Sequence, residues 1–218
     1  YIAFFLLAAA TVGVSGKAGN AFMLVDKGRA AATIVTASAP PDVERQAALD
    51  LQEYLEKISG AEVPILATDE PPEGNVVLIG QSAAVRNLVG DLINEEHLGY
   101  DGYIMKTFPG KLVLVGNKGN GTRFAVFSVL EWLGCRFYMP NPDGEIVPRL
   151  DTVAAESLDV VSKPDFVHRV LWNDGNVRPT MSAEGQKCWD SWFVKNKLGG
   201  VPIYHGHNYD SFCPPSLF

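Results

Sequence analysis

Apolar and polar positions change period along the chain, and each change marks an element. Residues 32–37, Ala-Thr-Ile-Val-Thr-Ala, are short and β-branched and predict a strand. Pro40-Pro41-Asp42 then opens a helix with Asp42 as its expected N-cap. Along it Val43, Ala47, Leu51, Tyr54, Leu55 and Ile58 recur at helical spacing and form one apolar face. Gly60 is placed to end that helix. Residues 63–67 read as a second strand and residues 69–74 as a loop. The unbroken apolar run 76–80 fits a strand buried on both faces.

Residues 82–93 predict a helix with Gly90 inside it. Residues 102–107 and 111–116 predict a hairpin around Phe108-Pro109-Gly110. Gly119-Asn120-Gly121-Thr122 opens a helix over 123–133 that is apolar on nearly every side and so belongs at the centre. Residues 137–148 are rich in Pro, Asn, Asp and Gly and read as a loop. The order β-α-β-β-α-β-β-α describes one compact domain over residues 22–160. The composition changes near Ser162-Lys163-Pro164. Residues 166–172 then predict a strand followed by Asn173-Asp174-Gly175, residues 183–198 a helix, and residues 201–204 a second strand ending in His205-Gly206-His207-Asn208. Polar residues at strand ends after strand and helix mark the start of a β/α barrel or doubly wound sheet. A barrel uses roughly 30 residues per unit, so the 58 residues from Val161 to Phe218 hold two units. The expected fold class is α/β: a compact α+β accessory domain with a mixed sheet and helices, then the first two βα units of a truncated TIM-type barrel.

The first 21 residues stand outside this scheme. Residues 2–14 are apolar and uncharged but too short for a membrane span of roughly 20 residues. They fit the apolar region of a partial signal peptide, with Gly19 and Ala21 suiting cleavage before Phe22. Secretion or export to the periplasm follows, with no membrane span in the mature chain. Both ends of the chain read as cut. The cysteines Cys135, Cys188 and Cys213 are odd in number and lack CxxC spacing, so neither a disulfide framework nor a zinc knuckle is indicated. Cys135 reads as a small packed hydrophobe, and a Cys188–Cys213 bridge stays open. Net charge is −7, from 18 Lys and Arg against 25 Asp and Glu. That balance, with no basic cluster, excludes a nucleic-acid partner.

Candidate chemistry concentrates in the last fifty residues. Arg169 sits inside an otherwise apolar strand and needs an acceptor. Either a carboxylate, with Asp174 as the candidate, or a substrate hydroxyl pair would serve. His205 and His207 are two apart on a strand and share a side, where they would hydrogen-bond a polar substrate or ligate a metal. Trp189 and Trp192 read as core, whereas Trp172 and Tyr209 beside strand ends suit stacking on sugar rings. The loop Gly116-Asn117-Lys118-Gly119-Asn120-Gly121 lies between strand and helix but matches neither phosphate-loop spacing; glycines at a tight turn account for it. Asn120-Gly121-Thr122 is also a formal glycosylation sequon. No cofactor is indicated.

The segments Leu51-Gln52-Glu53-Tyr54-Leu55-Glu56-Lys57-Ile58-Ser59-Gly60, Asp101-Gly102-Tyr103-Ile104 and Gly121-Thr122 through Val129-Leu130-Glu131-Trp132-Leu133-Gly134-Cys135-Arg136-Phe137-Tyr138-Met139-Pro140 resemble an accessory domain of glycoside hydrolases. That domain precedes the barrel in family 67 α-glucuronidases and family 20 β-N-acetylhexosaminidases. The tail Trp192-Phe193-Val194-Lys195-Asn196-Lys197-Leu198-Gly199-Gly200 with Gly206-His207 resembles the secreted bacterial family called domain of unknown function 4838. The resemblance implies an N-terminal part of an exported glycoside-hydrolase-like protein acting on carbohydrate. Arg169 matches the family 20 arginine that holds sugar hydroxyls, and His205-Gly206-His207 a His-x-His segment near substrate. Val170 after Arg169 and Asn208-Tyr209-Asp210 after His207 depart from the hexosaminidase pattern. Glycoside cleavage needs a proton donor and a second group at the anomeric carbon, and no residue here takes either role. A non-catalytic carbohydrate-binding protein and a metal-dependent barrel hydrolase using His205 and His207 are the alternatives.

Overall fold

The structure, a computed structural model, describes residues 21–171 and 181–201. Strand β1 (Phe22–Asp26) turns at Lys27 and Gly28, both at positive φ, into β2 (Arg29–Ala30). Strand β3 (Thr33–Thr36) leads into α1 (Asp42–Ser59). The N-cap of α1 is Pro41, not Asp42. Its extended backbone (φ −55°, ψ 155°) aims its carbonyl at the amides of Glu44 and Arg45, 3.0 Å away. Asp42 is instead the first helical residue, where a carboxylate favours the positive end of the helix dipole. Gly60 ends α1 in the left-handed region, φ 75°, its amide donating to Glu56 O at 2.7 Å.

Strands β4 (Ile65–Ala67) and β5 (Val76–Ile79) follow, then α2 (Ala83–Val89). The helix expected over residues 82–93 stops at Val89, whose φ of −141° leaves the helical region, and a 3₁₀ turn spans Gly90–Leu92. A short helix α3 (Glu95–Leu98), capped by Asn94 Oδ1 on the His97 amide at 2.9 Å, was not predicted. Strands β6 (Tyr103–Phe108) and β7 (Lys111–Gly116) form the expected hairpin, with Pro109 and Gly110 (φ 69°) between them. Helix α4 (Gly121–Trp132) is central, and β8 (Arg136–Phe137), β9 (Glu145–Ile146), β10 (Val153–Ala155) and β11 (Asp159–Ser162) follow it.

The main sheet runs β11-β6-β7-β5-β3-β4. Strands β4, β3, β5 and β7 are parallel; at one edge β6 pairs antiparallel with β7, and β11 pairs antiparallel with β6. A second sheet, β10-β1-β2, is antiparallel. The fold is therefore mixed α/β. One face of the main sheet buries Ile34, Val77, Ile79, Leu112 and Leu114 beneath α1 and α4, with Leu51, Leu55 and Phe127 from the helices. The other face buries Val35, Val76, Leu78 and Val113 with Val85, Val89 and Leu98. All four residues of β5 are buried, as its unbroken apolar run requires. Tyr54, Phe127 and Phe137 pack edge to face, with centroids 5.4–6.0 Å apart, each contact worth about 1 kcal/mol beyond area burial.

Beyond the main sheet lie β12 (His168–Arg169), helix α5 (Ala183–Lys195) and β13 (Gly199–Gly200). Strand β12 lies within the strand expected over residues 166–172 and α5 within the helix expected over 183–198, whereas β13 occupies the two glycines expected to end that helix. The two strands pair antiparallel over His168–Gly200 and Arg169–Gly199, not parallel as consecutive barrel strands pair. Gly199 and Gly200 hold positive φ, 122° and 99°, so the chain turns there, and a Cβ on Gly200 would fall 2.1 Å from Val167 O. The strand expected over residues 201–204 lies, after Val201, outside the described residues.

Candidate functional site

Arg169 is the one sequence-predicted site residue within the described part of the chain. Asp174, His205 and His207 lie outside it, as do Trp172, Tyr209 and Cys213. The Arg169 guanidinium packs 5.9 Å from the centre of the Phe124 ring. Its Nε donates to Lys197 O at 2.9 Å, Nη1 to Phe166 O at 2.6 Å and Nη2 to Asp101 Oδ2 at 2.5 Å. Among the described residues the carboxylate that meets this arginine is Asp101, two residues before β6; the expected partner Asp174 lies outside them. A guanidinium carries five N–H donors, so one on each terminal nitrogen remains beyond these three bonds. Asp101 is only 2% exposed, and its Oδ1 has no partner among the described residues.

A second cluster joins α5 to the first domain. Ser182 caps α5 by accepting from the Gly185 amide at 3.1 Å. Trp192 Nε1 and Asn196 Nδ2 both donate to Phe137 O, at 3.0 and 3.1 Å. Lys197 pairs with Glu131 at 2.5 Å. Glu145 accepts from Tyr54 Oη on both oxygens at 2.9 Å and pairs with Lys195, with Lys57 at 3.9 Å. Burial first, and then the Glu145 charge, push the Tyr54 phenol far above its ordinary range, so it remains a donor. Trp192 packs against the core, as expected, within a ring cluster with Trp189 and Phe193 at 5.6–6.0 Å. Sequence reading missed Asp101, Glu131 and Glu145. The first lay within a motif used only for resemblance, and Glu145 within an apparent loop.

The glycine-rich loop is explained by packing. Gly102, Gly116 and Gly121 bring three backbones together: a Cβ on Gly116 would lie 2.2 Å from Gly121 C, and one on Gly121 2.6 Å from Gly102 O. Thr122 Oγ1 accepts from the Gly116 amide at 3.0 Å, and Lys118 pairs with Glu95 at 2.6 Å. A cleft of about 430 Å³ opens beyond the carboxyl ends of β3, β5 and β7, lined by Glu44, Gln81, Arg86 and Lys118 among others. Glu44 accepts from the Gln81 amide at 2.9 Å and fills the space that a Cβ on Gly80 would occupy.

Desolvation raises the Glu44 carboxyl above its ordinary value of 4.5, against the opposing pull of the Gln81 amide and Arg86. The folded state thus holds this proton more tightly than the unfolded chain. Its stabilising contribution is full below the ordinary value and fades as pH rises through the raised one. Glu44→Gln should abolish this slope. Urea unfolding of the two proteins across the mildly acidic range checks it, and identical slopes would refute it.

Cys135 is buried, and burial pushes its thiol up to about 11, consistent with packing in place of reactivity. Cys188 is a free thiol. Among the described residues no cluster of three His, Cys, Asp or Glu could hold a metal, and no helix is long and apolar enough to cross a membrane.

Residues 24–129 match the family described as glycosyl hydrolase family 67 N-terminus. No curated protein matches the sequence. Among solved structures, the chain is similar to BtGH115A, a family GH115 4-O-methyl-α-glucuronidase with specificity for decorated arabinogalactans. The TM-score is 0.56 at 15% identity, over 81% of this chain and 25% of that one. It also matches the Streptomyces plicatus N-acetyl-β-hexosaminidase in complex with Thio-NAglucal, at TM-score 0.43 and 16% identity, over 69% of this chain and 25% of that one. The chain spans about a quarter of the length of these structures.

Proposed function

Because residues 24–129 match the glycosyl hydrolase family 67 N-terminus, we propose that this chain is the N-terminal part of an exported glycosidase acting on carbohydrate. In this reading residues 1–21 are a partial signal peptide, residues 22–160 an accessory domain, and residues 161–218 the beginning of a (β/α) barrel. The accessory domain buttresses the barrel. Carbohydrate binds at the open end of the barrel through Arg169, Asp174, His205 and His207.

The observation that carries the reading is the seam between the two parts. Asp101 of the family-type domain holds Arg169, and Glu131 and Glu145 hold Lys197 and Lys195 around α5. Three charged pairs place the second segment against the first, and Arg169 keeps two donors for substrate hydroxyls.

Cleavage requires an acid and a second carboxylate or equivalent, which we place on later barrel strands. The 218-residue chain by itself is therefore expected to hydrolyse no aryl glycoside, whereas the complete reading frame is expected to do so. Assay of both against a panel of aryl glycosides is the test. Turnover by the short chain would refute the placement of the carboxylates. Saccharide binding without turnover by the complete protein would favour a non-catalytic carbohydrate-binding protein.

A further inference from the structure

The cleft beyond the carboxyl ends of β3, β5 and β7, about 430 Å³, is within the range for small-molecule sites. Its place follows from the topology. The chain runs from β3 through α1 to β4 on one side of β3, and β5 then enters on the other side. Helix α1 packs on one face of the sheet and α2 on the opposite face. The chain therefore leaves the adjacent ends of β3 and β5 toward opposite faces. Open α/β sheets bind ligands in the crevice that such a divergence leaves.

Glu44 is the buried charged group of this crevice. It is 6% exposed, and its carboxyl rests over Gly80, the residue after β5, where a Cβ would fall 2.1 Å from Oε2. Oε1 accepts from the Gln81 amide at 2.9 Å, and among the described residues no hydrogen bond reaches Oε2. A buried carboxylate oxygen without a donor is costly, and an ammonium group supplies one. Arg86 has the opposite need. Its Nη2 donates to Gln81 Oε1 at 2.7 Å, which leaves its other N–H donors unoccupied among the described residues. Gln81 Nε2 donates to Gly116 O and Asn117 O, both at 2.8 Å. One side chain thus fixes the anionic wall, the cationic wall and the β7–α4 loop. Lys118 adds no surplus charge, because it pairs with Glu95 at 2.6 Å. The N-termini of α1 and α4 also reach the cleft, through Val43 and Thr122, and favour a carboxylate.

We propose that this cleft binds a free α-amino acid, its ammonium group on Glu44 Oε2 and its carboxylate on the Arg86 guanidinium. A zwitterion meets both walls at once, whereas a lone cation or a lone anion meets one wall and is repelled by the other. Both walls bond to the same residue, Gln81, so the two charges stand close together, as they do in an α-amino acid. The site shares no residue with the Arg169 cluster and does not depend on the glycosidase reading.

Calorimetric titration of the 218-residue chain with glycine, L-serine, L-leucine and L-phenylalanine is the test. The tightest binder is then compared with its N-acetyl form, which lacks the cation, and its methyl ester, which lacks the anion. Each cap should weaken binding about tenfold or more, the loss of one charge-assisted hydrogen bond. Glu44→Gln keeps an acceptor for the Gln81 amide. It should weaken the free amino acid about tenfold or more and leave the N-acetyl form unchanged. Arg86→Met, at an exposed position, should weaken the free amino acid and leave the methyl ester unchanged. No binding by any of the four amino acids, capped forms that bind within about twofold of the free one, or wild-type affinity in both variants would each overturn the proposal. The capped ligands are read on the unaltered chain, so the result stands even where a variant does not fold.

Discussion

Asp101→Ala is expected to lower the unfolding free energy by about 3–5 kcal/mol, the cost of removing one partner from a buried ion pair. At roughly 2–4 °C per kcal/mol for a protein of this size, the melting temperature should fall by about 6–20 °C. The reason lies in what remains. With Asp101 gone, the Arg169 side chain, 18% exposed, keeps its carbonyl acceptors at Phe166 and Lys197 but loses its only counter-charge among the described residues. Water cannot readily replace the carboxylate, because Asp101 is buried in the turn before β6. Arg169→Met in the Asp101→Ala background should recover part of the loss, since the uncompensated cation is then removed as well. A double-mutant cycle followed by thermal and urea unfolding measures the coupling. A single-mutant loss below about 1 kcal/mol, the range of an exposed pair, would show that the seam is open to solvent. Arg169 would then be free for the substrate role alone.

The need of Arg169 for an acceptor was legible in the sequence, because a guanidinium inside an apolar strand is costly to bury alone. That Asp101 supplies one was not. Asp101 lies 68 positions away, and only the placement of β6 at the edge of β7 brings it there. The same contrast runs through the fold. The elements β3, α1, β5, the β6–β7 hairpin and α4 each carry enough residues to display their own period, and each appears where the pattern put it. Strands β2, β8 and β9 have two residues apiece, and no period can be read from two residues. Strands β10 and β11 owe their form to partners 50 or more positions back, Ala155 opposite Phe22 and Asp159 opposite Lys106. Glu145 illustrates the cost for site reading. It follows Asn141-Pro142-Asp143-Gly144, which signals a turn, yet the turn serves to deliver a carboxylate to Tyr54 and Lys195.

Gly116→Ala should be a severely damaging single-methyl change. The backbone at Gly116 does not have positive φ, so alanine meets no conformational penalty there. The obstacle is space: the new methyl would fall 2.2 Å from both Gly121 C and Thr122 N, and these are backbone atoms that cannot rotate aside. Moving α4 away would loosen the contact between Gly121 and Gly102 and stretch the bond from the Gly116 amide to Thr122 Oγ1. Overpacking ordinarily costs about 1–3 kcal/mol, and a backbone-to-backbone clash belongs above that range, so the variant is expected to fail to accumulate as folded protein. Gly28→Ala supplies the contrast. Its φ is 72° with nothing within 4 Å of the added methyl, so it should cost only about 1–2 kcal/mol through the left-handed backbone. Urea unfolding of both variants, with inorganic phosphate titrated into each, separates packing from ligand binding in this loop. A folded Gly116→Ala protein that had lost affinity for phosphate would show that the glycines cradle an anion. A chain that unfolds, beside a Gly28→Ala protein that does not, places their purpose in the close approach of β6, β7 and α4.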